Sequence, residues 1–89
     1  MTEMEFIDKC KDRVLDYIKE NGLVIDPYSI IMGREDVYIV WLCKILQNHK
    51  GLFLASINNS PYFEFTYNGD AKILHMNVYK KEEHRDIII

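Results

Sequence analysis

The 89-residue sequence holds only two cysteines, two prolines and four glycines, and no apolar run long enough to span a membrane. Each scarcity removes a class of protein. Cys10 and Cys43 give neither a disulfide framework nor a metal-ligand spacing, and in apolar surroundings a free thiol acts as a small hydrophobe. The chain has no repeat, low-complexity tract or linker along which to divide, so residues 1–89 read as one domain. A net charge of −3 lacks the basic stripe of a duplex-DNA binder and is too mild for an acidic mimic of nucleic acid. MTEMEF has no basic n-region, so no signal peptide is expected and the expected setting is the cytoplasm. A Gly-rich phosphate loop, HExxH, CxxC and a supported Ser-His-acid order are all missing, and His49, His75 and His84 are scattered. No catalytic residue, metal ligand, cofactor or enzymatic activity is therefore expected.

What is present is the composition of an ordinary globule, 48% hydrophobic and 28% charged, which a chain this short closes around one small core. Thr2-Glu3-Met4-Glu5 forms a capping box. Phe6, Ile7, Cys10, Val14, Leu15 and Ile18 then recur at three- and four-residue steps as one face of a first helix, with Asn21-Gly22 as its stop. Lys9, Lys11, Asp12, Arg13, Asp16 and Lys19 fill its wet side. Residues 23–34 make a connector with a turn at Asp26-Pro27. A second helix is expected from Gly33 to Leu46, with Glu35 and Asp36 in its first turn, Met32 stapled on Val37, and Gly51 as its stop. The run VYIVWLCKIL could also be a buried strand, since β-branched and aromatic residues abound; its length and acidic start favour the helix. Three strands follow: Leu52 to Ile57, Tyr62 to Tyr67 and Ala71 to Lys80, with turns at Asn58-Asn59-Ser60-Pro61 and Asn68-Gly69-Asp70. The expected fold is α+β, two helices followed by a three-stranded antiparallel meander, with the helices packed on one face of the sheet.

A two-residue turn at Asn68-Gly69 or Gly69-Asp70 puts Phe63, Phe65, Leu74, Met76 and Val78 on the core face. It puts Tyr62, Glu64, Thr66, Ile73, His75, Asn77 and Tyr79 on the other. That second face is either a solvated surface with ordinary cross-strand pairs, or a ligand platform or dimer surface on which tyrosines stack. In WLCKILQNHKG, Lys44 and Gln47 are polar residues that a buried helix does not need; they form its solvent strip or the floor of a pocket. The terminal Ile87-Ile88-Ile89 calls for burial, as a further strand or against a second chain, which makes a homo-oligomer the expected state.

Three motifs carry a resemblance: E-D-V-Y-I-V-W-x-x-K-x-L-Q-N-x-K (Glu35 to Lys50), Y-x-E-x-T-Y-N-G-D (Tyr62 to Asp70) and V-Y-K-K (Val78 to Lys81). Over residues 4–82 the chain resembles a domain of unknown function found in small proteins of phages and prophages of Gram-positive bacteria. The resemblance implies a non-enzymatic accessory protein acting in the cytoplasm of an infected cell. It leaves three modes open. The first is a sponge that sequesters a nucleotide-derived host immune signal. The second is an inhibitor that docks on a host protein, and the third an assistant to phage replication or transcription. For the sponge, Lys44, Lys50, Lys80 and Lys81 would meet phosphates, Tyr62, Tyr67 and Tyr79 would stack a base, and Gln47, Asn48 and Asn68 would read its edges. Glu64, Thr66, His75 and Asn77 complete the expected ligand-binding set. Neither duplex DNA nor a membrane is an expected partner.

Overall fold

The computed structural model of the protein describes residues 1–22, 33–57, 60–80 and 87–88. Its elements are helix α1 (Glu3–Glu20), a single 3-10 turn (Arg34–Asp36) and strands β1 (Val37–Ile45), β2 (Asn48–Ala55), β3 (Tyr62–Asn68) and β4 (Ile73–Tyr79). The strands form one antiparallel sheet in the order β1-β2-β3-β4. The fold is α+β, with one N-terminal helix packed against a four-stranded meander. The Asp26-Pro27 turn, the Met32 staple, Asn58-Asn59, Lys81 and Ile89 lie outside the described residues.

Helix α1 follows its sequence signals closely. The Thr2 Oγ1 accepts from the Glu5 amide and the Glu5 carboxylate accepts from the Thr2 amide, both at 3.1 Å. That reciprocal pair holds the Glu5 carboxyl below its usual range, and the Thr2 amide is the main cause. At the other end Gly22 takes the left-handed conformation, φ 62, which costs glycine nothing. Between them Phe6, Cys10, Val14 and Ile18 step every fourth residue into the core and are essentially buried.

The expected second helix is instead the 3-10 turn followed by β1. The acidic start is real, but it caps only that turn: an Asp36 carboxylate oxygen accepts from the Gly33 amide at 2.9 Å. Beyond it, Val37, Tyr38, Ile39, Val40 and Trp41 carry stiff or bulky side chains that suit a pleated strand. Leu46 and Gln47 then turn the chain back, with Leu46 at φ 56, so that β2 pairs along the whole of β1 and the sheet has four strands rather than three.

Gly51, expected as a helix stop, sits in the middle of β2. A Cβ there would lie 2.8 Å from the Phe53 ring and 2.9 Å from Leu42, with Phe6 just beyond at 3.4 Å. The glycine leaves room for Phe53 and Leu42, on which Phe6 of α1 rests. Around it the core closes with Phe53, Phe63 and Phe65, all fully buried, and Val37, Ala55 and Tyr67. Phe53 and Phe65 meet edge-on with centroids 5.5 Å apart, and Tyr17 meets Phe63 likewise at 5.3 Å, the favourable arrangement for aromatic quadrupoles. His49 is also core: it is 3% exposed and stacks on Phe6 at 5.1 Å.

The β3–β4 connection is a four-residue turn, Gly69 to Lys72, not two. An even count keeps the same pairing parity, so Phe63 faces Val78 and Phe65 faces Met76 on the helix side. One helix is too narrow for the whole face, however. It lies over β2 and reaches β1 and β3, which leaves β4 largely beyond it; Met76 is therefore exposed. Ile87 and Ile88 belong to no strand and are exposed too.

Gly51→Ala is expected to cost about 1–3 kcal/mol, the usual penalty for overpacking, read as a lowered urea midpoint with an unchanged slope. Burial pushes the Cys10 thiol from its ordinary value near 9.0 up to about 12. Because the unfolded thiol ionises first, the stability this represents is complete below pH ~9 and is lost as pH rises toward ~12, by up to about 1.4 kcal/mol per pH unit. Cys10→Ala is expected to remove that alkaline slope in chemical denaturation series run from pH 8 to 11.

Candidate functional site

Alternation along the strands gives the sheet two surfaces of different character. On the helix side, two concavities lie along α1 and the turn-bearing end of β3 and β4. The larger, of about 800 Å³, has an apolar wall from Leu15, Phe65, Leu74 and Met76, and is also lined by the cations Lys9, Arg13 and Lys72 and the acids Asp12 and Asp16. The smaller, of about 450 Å³, is lined by Lys44, Leu46, Gln47, Tyr67, Gly69 and Lys72. Met1, Tyr67 and Lys72 line both, so the two read as one groove. It exists because α1 stops short of β4.

The charges in this groove are unequally committed. Arg13 pairs with Asp16 at 3.4 Å, and Arg34 grips Asp12 through two hydrogen bonds of 2.8 and 2.9 Å. The Arg34 bonds hold the Asp12 carboxyl below the usual range. Both acids of the groove are thus already neutralised by arginines. Lys9, Lys44 and Lys72 make no ion pair with any described residue. The result is a local positive excess on an acidic chain, next to an apolar wall, in a space of the size that holds small ligands.

A short polar network fixes the rim. The Gln47 amide donates to Asp70, and the Gly69 amide donates to the Asn48 side chain at 2.9 Å. Asn68 accepts from the Asp70 and Ala71 amides at 3.0 and 3.2 Å, an Asx turn. A Cβ on Gly69 would run into the Gln47 backbone carbonyl. The β1–β2 and β3–β4 turns are therefore tied to each other, with Lys44 and Lys72 beside them.

The helix-free side carries a different chemistry. Tyr38, Trp41, Cys43 and Ile45 of β1 share it with Lys50, Leu52 and Leu54 of β2. Tyr62, Glu64 and Thr66 of β3 and Ile73, His75, Asn77 and Tyr79 of β4 continue it. No described helix covers it, and Tyr38, Trp41, Ile45, Tyr62, Ile73 and Tyr79 are all between 39% and 66% exposed.

The residues expected to bind a ligand are thus divided. Lys44, Gln47 and Tyr67 come together in the groove. Asn48, Lys50, Tyr62, Glu64, Thr66, Asn68, His75, Asn77 and Tyr79 lie on the helix-free side, and Lys80 is exposed just past β4. Gln47, Asn48 and Asn68 are engaged in holding the turns. The sequence puts Lys9 and Arg13 on the wet side of α1 and gives Lys72 no distinction at all. Their signal is a place on the flank of the apolar stripe, and it has no meaning until the position of β4 is known. Trp41 and Cys43, expected as helix core, are strand residues of the helix-free side, because a register shift between Ile39 and Trp41 breaks the periodicity of β1. Among the described residues, no three His, Cys, Asp or Glu side chains gather as a metal site requires, and no helix is long and apolar enough to cross a membrane.

Residues 7–88 match the family of unknown function DUF6275, and the chain belongs to that family. No curated protein and no solved structure matches it.

Asn48→Ala and Asn68→Ala are each expected to cost about 1 kcal/mol, the net worth of the hydrogen bonds they lose, measured by urea denaturation. Amide exchange at Gly69, Asp70 and Ala71 should accelerate in the same variants.

Proposed function

We propose that this member of the family binds rather than catalyses, and that its ligand is a nucleotide-type anion held in the groove beside α1. In the phage setting that the sequence resemblance implies, the protein is an accessory factor in the host cytoplasm that sequesters a nucleotide-derived immune signal. The observation that carries this reading is the pairing of Lys44 and Lys72, neither ion-paired to a described residue, with the adjoining apolar wall of Leu15, Leu74 and Met76. Lysines meet phosphate as point charges, and an apolar wall accepts the flat face of a base. The fixed turns supply preorganisation, which reduces the entropy lost on binding.

A second reading rests on a separate observation, the exposed aromatic and aliphatic residues of the helix-free side. Tyr and Trp are the side chains most enriched at binding hot spots. On this reading the protein inhibits a host protein by docking that face on it.

Protein purified from infected cells and then heat-denatured is expected to release a nucleotide identifiable by mass spectrometry. Adding the same nucleotide to the apo protein should raise its melting temperature, less so at high salt. The double variant Lys44→Glu/Lys72→Glu should lose both effects. Recovery of a stoichiometric host protein with no small molecule, abolished by Trp41→Asp and untouched by the lysine changes, would overturn the ligand reading in favour of the second.

A further inference from the structure

We infer that the helix-free side of the sheet is covered by the same side of a second copy of this chain, the two sheets crossing at nearly a right angle.

Charge gives the first indication. Apart from His75, the strand residues on this side include one cation, Lys50, and one anion, Glu64. On a chain of net charge −3, this side is formally neutral. Lys50 lies opposite Thr66 and Glu64 opposite Leu52, so the two charges occupy diagonal corners of the central four-residue cell. Neither makes an ion pair with a described residue.

That diagonal has a geometric consequence. Neighbouring strands are about 4.8 Å apart and same-face residues about 6.7 Å apart along a strand, so the cell is a short rectangle. A two-fold axis lying in the interface through the centre of the cell, at about 45° to the strands and running from near Leu52 to near Thr66, exchanges the charged corners. It sets Lys50 of each copy over Glu64 of the other, within roughly 1–2 Å of registry on this spacing. Two charge pairs form by one symmetry operation, as an isologous contact requires. An axis at about 45° to the strands makes the sheets cross at about 90°, one of the two preferred sheet-on-sheet angles.

Apolar complementarity follows from the same operation. The Leu52 end of the axis leads into the corner formed by Tyr38, Trp41, Leu52 and Leu54, where Tyr38 pairs with Leu54 and Trp41 with Leu52. Lying on the axis, that corner packs against its own copy. Trp41 falls between Leu52 and Leu54 of the second chain. A surface in which the charges exchange and the apolar corner meets itself is self-complementary, and a foreign partner would have to reproduce both features.

The area is adequate. Four strands of about eight residues present roughly 19 by 26 Å, about 500 Å² in flat projection. Side-chain relief brings the accessible surface toward the about 800 Å² per partner of a standard interface. A chain of this size buries too little of its own surface to leave such an area in water without cost. The groove opens on the opposite side of the sheet and takes no part in this contact.

Size-exclusion chromatography with light scattering is expected to give twice the chain mass of 10.6 kDa, with Lys50→Glu and Glu64→Lys each weakening the dimer tenfold or more. Mixing the two variants should restore it, because in the heterodimer every charge at positions 50 and 64 meets an opposite one across the axis. Alkylation of the exposed Cys43 should slow as wild-type concentration rises through the dissociation constant, which tests the contact without altering the fold. A wild-type monomer at all concentrations would overturn the inference. A dimer indifferent to both charge changes, variants that do not rescue each other, or Cys43 alkylation independent of concentration would do the same.

Discussion

Everything in this molecule depends on how closely one helix can approach the second strand. The contact is centred on a missing side chain. The space a Cβ on Gly51 would need is filled by Phe53 and Leu42 of the sheet, Phe6 of α1 rests beyond them, and His49 stacks on Phe6 from the neighbouring same-face position. From that anchor the four-residue stepping of Cys10, Val14 and Ile18 runs the rest of α1 across the phenylalanines of β2 and β3. A larger residue at position 51 would first displace Phe53 and Leu42, and with them the surface on which Phe6 rests.

Among the described residues a single helix on a four-stranded sheet leaves two areas uncovered, and both candidate surfaces come from that shortage. β4 lies past the flank of α1, so a groove with one apolar wall remains beside it. The whole reverse side of the sheet has no layer among the described residues. In larger α+β domains further helices close such gaps. Here the gaps are the parts of the molecule with chemistry to offer, one positively charged and concave, the other aromatic and broad.

How far the sequence reveals this depends on how local each signal is. The α1 cap, stripe and stop are decided within a turn or two of chain, and the structure places all three where the residues put them. The faces of β3 and β4 also agree, because pairing parity survives a change in turn length from two to four residues. β1 imitates a helix because its signal is not periodic. The register shift after Ile39 breaks the alternation of a strand, and apolar residues on both faces look like a buried helix. Gly51 follows from the same ambiguity, since a glycine after an apolar run looks like a stop, whereas the space a side chain would need there is taken by Phe53 and by Leu42 of the neighbouring strand. Lys44 and Gln47 stand out in the sequence as polar residues needing an explanation. The explanation is non-local: Gln47 bonds to Asp70, and Lys44 overlooks a groove completed by Lys72 from another hairpin.

The register shift in β1 also bears on what can pair with that edge of the sheet. β1 is an edge strand of nine residues, nearly all apolar, the profile from which strand-by-strand stacking into fibres begins. One extra residue near Val40 bends the edge and puts the amides and carbonyls that no other described strand takes up out of step with a straight incoming strand. Growth along the hydrogen-bonding direction is therefore discouraged where side-chain composition would invite it. The irregularity is built from backbone geometry alone, and it leaves the side chains of Tyr38, Trp41 and Ile45 exposed while Val37 stays in the core.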